Sequence, residues 1–322
     1  MTIPDATGPG PALEPITQQF VDAMSGVPPL LTLPPAEARA AFMKLQSQPV
    51  GKPSARFDDM TFPVGPAGTI RVRIVRPRDA GGKLPVVIYC HGGGWTYGDA
   101  ETHDRLIREL AVGANAALVF VAYDLAPQAQ YPVAIEQAYA ATLYVAEHGD
   151  ELNVDAMRLA IAGDCVGGTI AAAVTLLARQ RRGPKIDLQV LICPVTDARC
   201  DTDSYRRFAN GPWLTKAAMV QVWNAWLPDP AMRAEPTAVP LRATLEQLAN
   251  LPDALVIVAE SDVTRDEGEC YARKLSDAGV RVTSVRYNGT IHDFVVLNAL
   301  ADTPAARGAI AQIVGALGAA FG

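Results

Sequence analysis

A thiol at the centre of Gly163-Asp164-Cys165-Val166-Gly167-Gly168 is the feature of this chain with the clearest chemistry. The Gly-x-Cys-x-Gly spacing is that of a nucleophile elbow, a strained strand-to-helix turn that presents a reactive atom. Before it, Arg158-Leu159-Ala160-Ile161-Ala162 reads as a short buried strand. After it, Thr169 to Arg181 is rich in Ala and Leu and free of Pro, which reads as a helix. Glycines beside the cysteine let strand and helix approach closely. The N-terminus of the helix turns its N–H groups and dipole toward the nucleophile, where they favour negative charge. The alternative reading is a small buried cysteine in a glycine-rich turn.

Two further groups complete a possible reaction centre. The apolar run Leu84 to Cys90 leads into His91-Gly92-Gly93-Gly94-Trp95, and three consecutive glycines allow backbone N–H groups to face a substrate oxygen as an oxyanion hole does. Downstream, the apolar run Ala254 to Ala259 leads into Glu260-Ser261-Asp262, and the run Val282 to Tyr287 leads toward His292. A cysteine, a carboxylate and an imidazole in the order Cys165, Asp262, His292 supply a nucleophile, an orienting acid and a base. Asp197 is the second candidate for the acid. Glu260, two residues from Asp262 on the same strand and so on the same side, is the third. A thiol titrates near about 8.5, and a neighbouring His with a helix N-terminus lowers that value. A thiolate–imidazolium pair is therefore expected at Cys165.

The elements that must hold these residues alternate. Strands are predicted over 84–90, 117–123, 158–164, 187–193, 254–260 and 281–287, with helices over 103–113, 133–147, 167–181 and 265–278 between them. This is the rhythm of a mainly parallel sheet flanked by helices, an α/β fold. An alternating half-exposed strand over 69–75 precedes the series. Ile135, Ala138, Tyr139, Leu143 and Ala146 form the expected core face of the 133–147 helix. Thr303-Pro304 caps a closing helix. Two short helical patterns, Ile16 to Met24 and Ala36 to Leu45, lie outside the sheet order. Residues 1–12 are rich in Gly, Pro and Thr and are expected to be disordered. Residues 198–240 interrupt the alternation with a helical hairpin that holds Phe208, Trp213, Trp223 and Trp226.

With these motifs in order, the chain resembles the hormone-sensitive-lipase-like carboxylesterases, the bacterial family IV esterases of the α/β-hydrolase fold. The resemblance rests on His91-Gly92-Gly93-Gly94-Trp95, Tyr123 with Leu125-Ala126-Pro127, Gly163-Asp164-Cys165-Val166-Gly167-Gly168, Asp262 with Arg265-Asp266-Glu267-Gly268, and His292, and spans roughly 64–300. It implies a carboxylic-ester hydrolase acting on short- to medium-chain acyl esters through a nucleophile-His-Asp triad. It also implies an oxyanion hole of the Gly93, Gly94 and Val166 N–H groups, and a cap built from 1–52 and 198–240 over a core of 53–197 and 241–322. Trp95, Phe208, Trp213 and Trp223 are the candidate substrate contacts. Four positions depart from the pattern. Cys165 stands where the family has Ser, and Val166 where Ala is usual. Asp124 and Gln128 replace an Arg and a Glu, and Asp293 replaces the Gly that usually follows the base. In a site shaped for a hydroxyl, sulfur is expected to act slowly or to stall as a thioester. A genuine cysteine hydrolase of dienelactone-hydrolase-like chemistry, or a non-catalytic binding protein on the same fold, are the alternative readings.

The whole chain limits the partners. With 322 residues it can bury a large core. A net charge of −6 argues against nucleic acid and anionic membrane surfaces. No apolar run suggests a membrane span, and no basic-then-apolar leader is visible. The five cysteines show no framework spacing, which fits reduced thiols and a cytoplasmic location. No CxxC or HExxH pattern points to a metal, and no cofactor is expected. A small-molecule ester is the expected substrate and a homodimer the candidate assembly.

Overall fold

The computed structural model describes residues 11–322. Most of the 1–12 segment expected to be disordered therefore lies outside the described residues. Helices α1 (Pro15–Ala23) and α2 (Pro35–Gln46) come first, each with a proline in its first turn, where the missing N–H costs nothing. The sheet follows. Its antiparallel edge is β1 (Ala55–Phe62) and β2 (Ile70–Pro77). Then come β3 (Leu84–Cys90), α3 (Asp104–Gly113), β4 (Ala117–Ala122), α4 (Val133–Glu147), β5 (Val154–Asp164), α5 (Val166–Gln180) and β6 (Leu188–Ile192). After two excursion helices, α6 (Asp203–Arg207) and α7 (Lys216–Trp226), and a single turn, α8 (Leu245–Leu248), the sheet resumes. It ends with β7 (Asp253–Ser261), α9 (Arg265–Asp277), β8 (Val282–Ile291) and α10 (Pro304–Phe321).

The eight strands lie in the order β1-β2-β4-β3-β5-β6-β7-β8. From β4 to β8 all neighbours are parallel. Every residue of β3 and β6 is buried, as strands covered by helices on both faces must be. The chain goes from β3 outward to β4, then returns to the other side of β3 as β5. This reversal is a topological switch point, where the loops at the strand carboxyl ends diverge and leave a crevice. His91 to Gly94 leave β3, Cys165 leaves β5, and both open into that crevice.

The structure corrects several boundaries. The strand expected over 158–164 begins at Val154 and carries an irregularity opposite Pro85 and Val86, where Met157 projects outward, 78% exposed. The strand expected to stop at 287 runs on to Ile291, carrying His292 directly off its end. The 198–240 region is not a helical hairpin. It is the short α6, the longer α7 and a 3-10 turn at Pro230–Ala234. The closing helix α10 is long and apolar enough to cross a membrane by length and composition alone. In this fold Ile310, Ile313, Leu317 and Phe321 on one face of it are buried against the protein.

Candidate active site

Cys165 is the single residue between β5 and α5, and its backbone is strained. Its φ of +52° and ψ of −121° lie where L-residues seldom sit. The strain is enforced by close approach of backbone to backbone. A Cβ on Gly167 would lie 2.0 Å from the Cys90 carbonyl oxygen, so only glycine lets α5 start this close to β3. The Cys165 amide donates to Ile192 O at 2.8 Å, which locks the turn to β6.

The glycine loop is held from behind. Asp164, immediately before the cysteine, accepts from the Gly92 amide at 3.1 Å and from the Tyr89 hydroxyl at 2.7 Å. His103 Nε2 lies 3.5 Å from the same carboxylate. Burial disfavours the Asp164 anion, but the nearby His103 and the Tyr89 hydrogen bond outweigh it, so the carboxyl stays below its usual range. His91 packs flat on Tyr123, ring centroids 4.2 Å apart, and the Tyr123 hydroxyl donates to His91 O at 2.8 Å. Gly93 has a φ of +100° and its carbonyl accepts from Thr96 and Tyr97, turning the peptide over. The amides of Gly93, Gly94 and Val166 have no protein acceptor among the described residues. Gly93 and Gly94 line the same cavity as Cys165, and Val166 follows Cys165 directly in the chain. The Arg and Glu missing from the Tyr123 segment are replaced by neutral bonding: Gln137 accepts from the Asp124 amide and donates to its carboxylate, both at 2.8 Å.

His292 and Asp262 meet as the order in the chain predicts. His292 Nδ1 lies 2.7 Å from Asp262 Oδ2. Asp262 is held in turn by the Thr264 amide at 3.0 Å and the Thr264 hydroxyl at 2.8 Å. The two runner-up acids are elsewhere. Asp197 pairs with Arg199 at 2.7 Å, and Glu260 accepts the Gly289 amide at 2.9 Å.

Asp293 is the residue that sequence reasoning left without a role. Its φ of +62° bends the chain immediately after the base and returns its carboxylate to the site. Asp293 Oδ1 lies 3.4 Å from His292 Nε2, and Oδ2 accepts from Trp213 Nε1 at 2.9 Å. The one signal for it in the sequence was an acid where the resembling family has Gly. Cys165, His292 and Asp293 each bring a donor atom within 4.8 Å of the others.

These charges change the protonation expected of the thiol. Burial opposes the His292 cation, but the charges of Asp262 and Asp293 prevail and hold the imidazolium well above its ordinary range. Burial raises the Cys165 thiol. The pull of His292 is offset in part by Asp293 and Asp164, and the net shift is upward. Burial and the neighbouring carboxylates thus work against the thiolate that a helix N-terminus and one histidine would favour.

A cavity of about 380 Å³ opens over the sulfur. Gly93, Gly94, Cys165, His292 and Asp293 form its floor. Phe20, Met24, Leu30 and Leu31 from the N-terminal segment and Trp213, Leu214 and Ala218 around α7 form its walls. Of the four expected substrate contacts, only Trp213 faces it. Trp95 stacks flat on Trp226 at 3.9 Å and is wholly buried with Trp223. Phe208 is buried between Arg207 and Arg265. These three lie outside the cavity lining, and aromatic clustering in a sequence alone does not distinguish a packed core from a pocket wall. Val166 is fully buried and its side chain is not part of the cavity wall. The contribution of 20–31 carried no chemical signature in the sequence.

An eight-stranded, mainly parallel sheet with a nucleophile elbow at its switch point defines an α/β hydrolase. Residues 87–296 match the family of the alpha/beta hydrolase fold. A putative alpha/beta hydrolase, R526, of Acanthamoeba polyphaga mimivirus is 37% identical over 295 residues, covering 92% of this chain and 84% of its own. The esterase LipI of Mycobacterium tuberculosis is 39% identical over 289 residues, 88% of each chain. A thermostable esterase from Pseudomonas putida ECU1011 superposes with a TM-score of 0.94 at 46% identity, covering 98% of this chain and 99% of its own. The chain belongs to this family, in its hormone-sensitive-lipase-like carboxylesterase branch.

Proposed function

We propose that the protein hydrolyses short- to medium-chain acyl esters through Cys165, His292 and Asp262, with the sulfur limiting its rate. The observation that carries this reading is one cavity lined by Cys165, Gly93, Gly94 and His292, the last bonded to Asp262 at 2.7 Å.

Attack requires the neutral His292 ring, because only that form can accept the thiol proton. Sγ then adds to the ester carbonyl. The oxyanion is received by the amides of Gly93, Gly94 and Val166, each such donor being worth about 3–4 kcal/mol. His292 returns the proton to the departing alcohol, leaving a thioester on Cys165, and next takes a proton from water to hydrolyse it. Asp262 keeps the ring in the tautomer that presents Nε2. Sulfur is larger than oxygen and its bond to carbon longer. A displacement of roughly 1 Å in a reacting atom costs about 10²-fold. Segments 11–33 and 203–226 act as the cap that selects the acyl group.

The test is hydrolysis of p-nitrophenyl butyrate by the wild type, Cys165→Ser and Cys165→Ala. The expected order is Ser at least about tenfold above Cys, with Ala at background. Equal or lower turnover by Cys165→Ser would mean that the site is built for sulfur, and turnover by Cys165→Ala would remove Cys165 from the mechanism.

A further inference from the structure

We propose that Cys165, His292 and Asp293 form a site for a thiophilic divalent cation, zinc being the best match, that covers the sulfur and holds it unreactive. A thiolate, an imidazole and a carboxylate are the donor types that zinc takes, with a fourth position open as in non-structural sites. Calcium and magnesium select all-oxygen sets and are excluded by the sulfur and nitrogen.

The geometry fits. Zinc bonds of about 2.1 Å to nitrogen and oxygen at the tetrahedral angle place those atoms about 3.4 Å apart. His292 Nε2 and Asp293 Oδ1 are separated by 3.4 Å. The sulfur lies within 4.8 Å of both. His292 Nε2 is a buried nitrogen with no hydrogen-bond partner among the described residues, and it is aimed at this point. The supporting groups are those a zinc site uses. The other ring nitrogen is bonded to the Asp262 carboxylate at 2.7 Å, the carboxylate–histidine arrangement that orients metal-bound imidazoles. The second oxygen of Asp293 is fixed by Trp213 Nε1 at 2.9 Å, leaving Oδ1 as a single ligand atom. The cavity provides access and room for a water in the fourth position.

A second cluster, Cys193 with Asp262 and His292, does not compete. It would use the Nδ1 side of the ring, where the 2.7 Å hydrogen bond to Asp262 leaves no space for an ion. Binding at the proposed site breaks the S–H bond and forms a zinc–sulfur bond. The proton passes to the buffer, together with any proton on His292 Nε2 or Asp293, and no redox change occurs.

Calorimetric titration of the full chain with zinc chloride, without any ester, tests the site. The expected result is one ion per chain, weakened about 100-fold or more in Cys165→Ser and about tenfold or more in Asp293→Asn, with Cys270→Ser unchanged. Cobalt(II) added to the wild type is expected to give a thiolate charge-transfer band that Cys165→Ser lacks. Bound zinc should protect Cys165 from iodoacetamide, as read by intact mass. Thermal melts establish that each variant is folded, and Asp293→Asn keeps the sulfur and the fold of the elbow. No binding by the wild type at millimolar zinc, or equal binding by folded Cys165→Ser, would overturn the proposal. Because the readout uses no ester, a chain that hydrolyses esters without binding zinc contradicts this site alone. A chain that binds zinc without turnover contradicts the esterase mechanism alone.

Discussion

Cys165 and Asp293 together set the behaviour of this site. Either change alone has a simple consequence: sulfur in place of oxygen gives a larger nucleophile, and an acid beside the base gives a more persistent imidazolium. Combined, they favour both the thiol and the protonated ring, so attack waits on the loss of a proton from His292. The sign follows directly. The Asp293 anion favours the charged ring, so neutral His292 appears at higher pH with Asp293 than without it. Ester hydrolysis is expected to rise with pH, and Asp293→Asn should move that rise down by about 1 unit, the scale set by one opposite charge at this range. A pH–rate profile of kcat/KM for both proteins decides it. A limb that stays put or moves upward would show that Asp293 does not govern the ring. Much of this site was legible in the sequence: Cys165, Asp262 and His292 follow strand ends in a fixed order, and backbone topology alone brings them together. Asp293 was visible only as an anomaly. Its role depends on a positive φ that returns its carboxylate to Nε2 and on a hydrogen bond from Trp213, 80 residues away in the chain.

At the level of the elements, the β5-to-α5 turn carries the constraint. The space between Cys90 O and Gly167 admits no side chain. Gly167→Ala should destabilise the protein by about 2–4 kcal/mol in urea unfolding, as overpacking against fixed backbone does. A change within about 0.5 kcal/mol would show that the elbow is free to relax. The same level shows why some elements were misread. Asn288-Gly289 looks like a turn, yet here it lies within β8. The Gly289 amide is bonded to Glu260 and its carbonyl to the Glu14 amide, so contacts with β7 and with the chain before α1 replace the turn. In α4 the expected stripe of Ile135, Ala138, Tyr139, Leu143 and Ala146 is rotated. Ala141, Thr142 and Val145 are buried in place of Leu143 and Ala146. A helix covered on more than one side has no single stripe for periodicity to find.

Taken as a whole, the molecule places one chemistry at the floor of a cavity whose walls come from distant parts of the chain. Phe20, Leu30 and Leu31 belong to the N-terminal segment, and Leu31 packs so tightly on Gly94 that a Cβ there would lie 2.4 Å from it. The cavity of about 380 Å³ suits short acyl groups. In a p-nitrophenyl series, butyrate and hexanoate should exceed dodecanoate by about tenfold or more in kcat/KM. Phe20→Ala should narrow that gap by enlarging the wall. Equal rates across the series would show that the N-terminal segment does not limit the acyl group. None of this selectivity was readable from composition, because a Phe and two Leu in a proline-rich stretch bear no mark of what they will line.

The central claim is that the cysteine itself carries the acyl group. The most direct measurement is intact-mass spectrometry of the wild type, quenched in the first turnovers of p-nitrophenyl butyrate, with the modified peptide mapped. A butyryl adduct on Cys165, absent from Cys165→Ala, is the predicted result. Hydrolysis with no adduct on Cys165 at any time point, or neither hydrolysis nor adduct, would contradict the account.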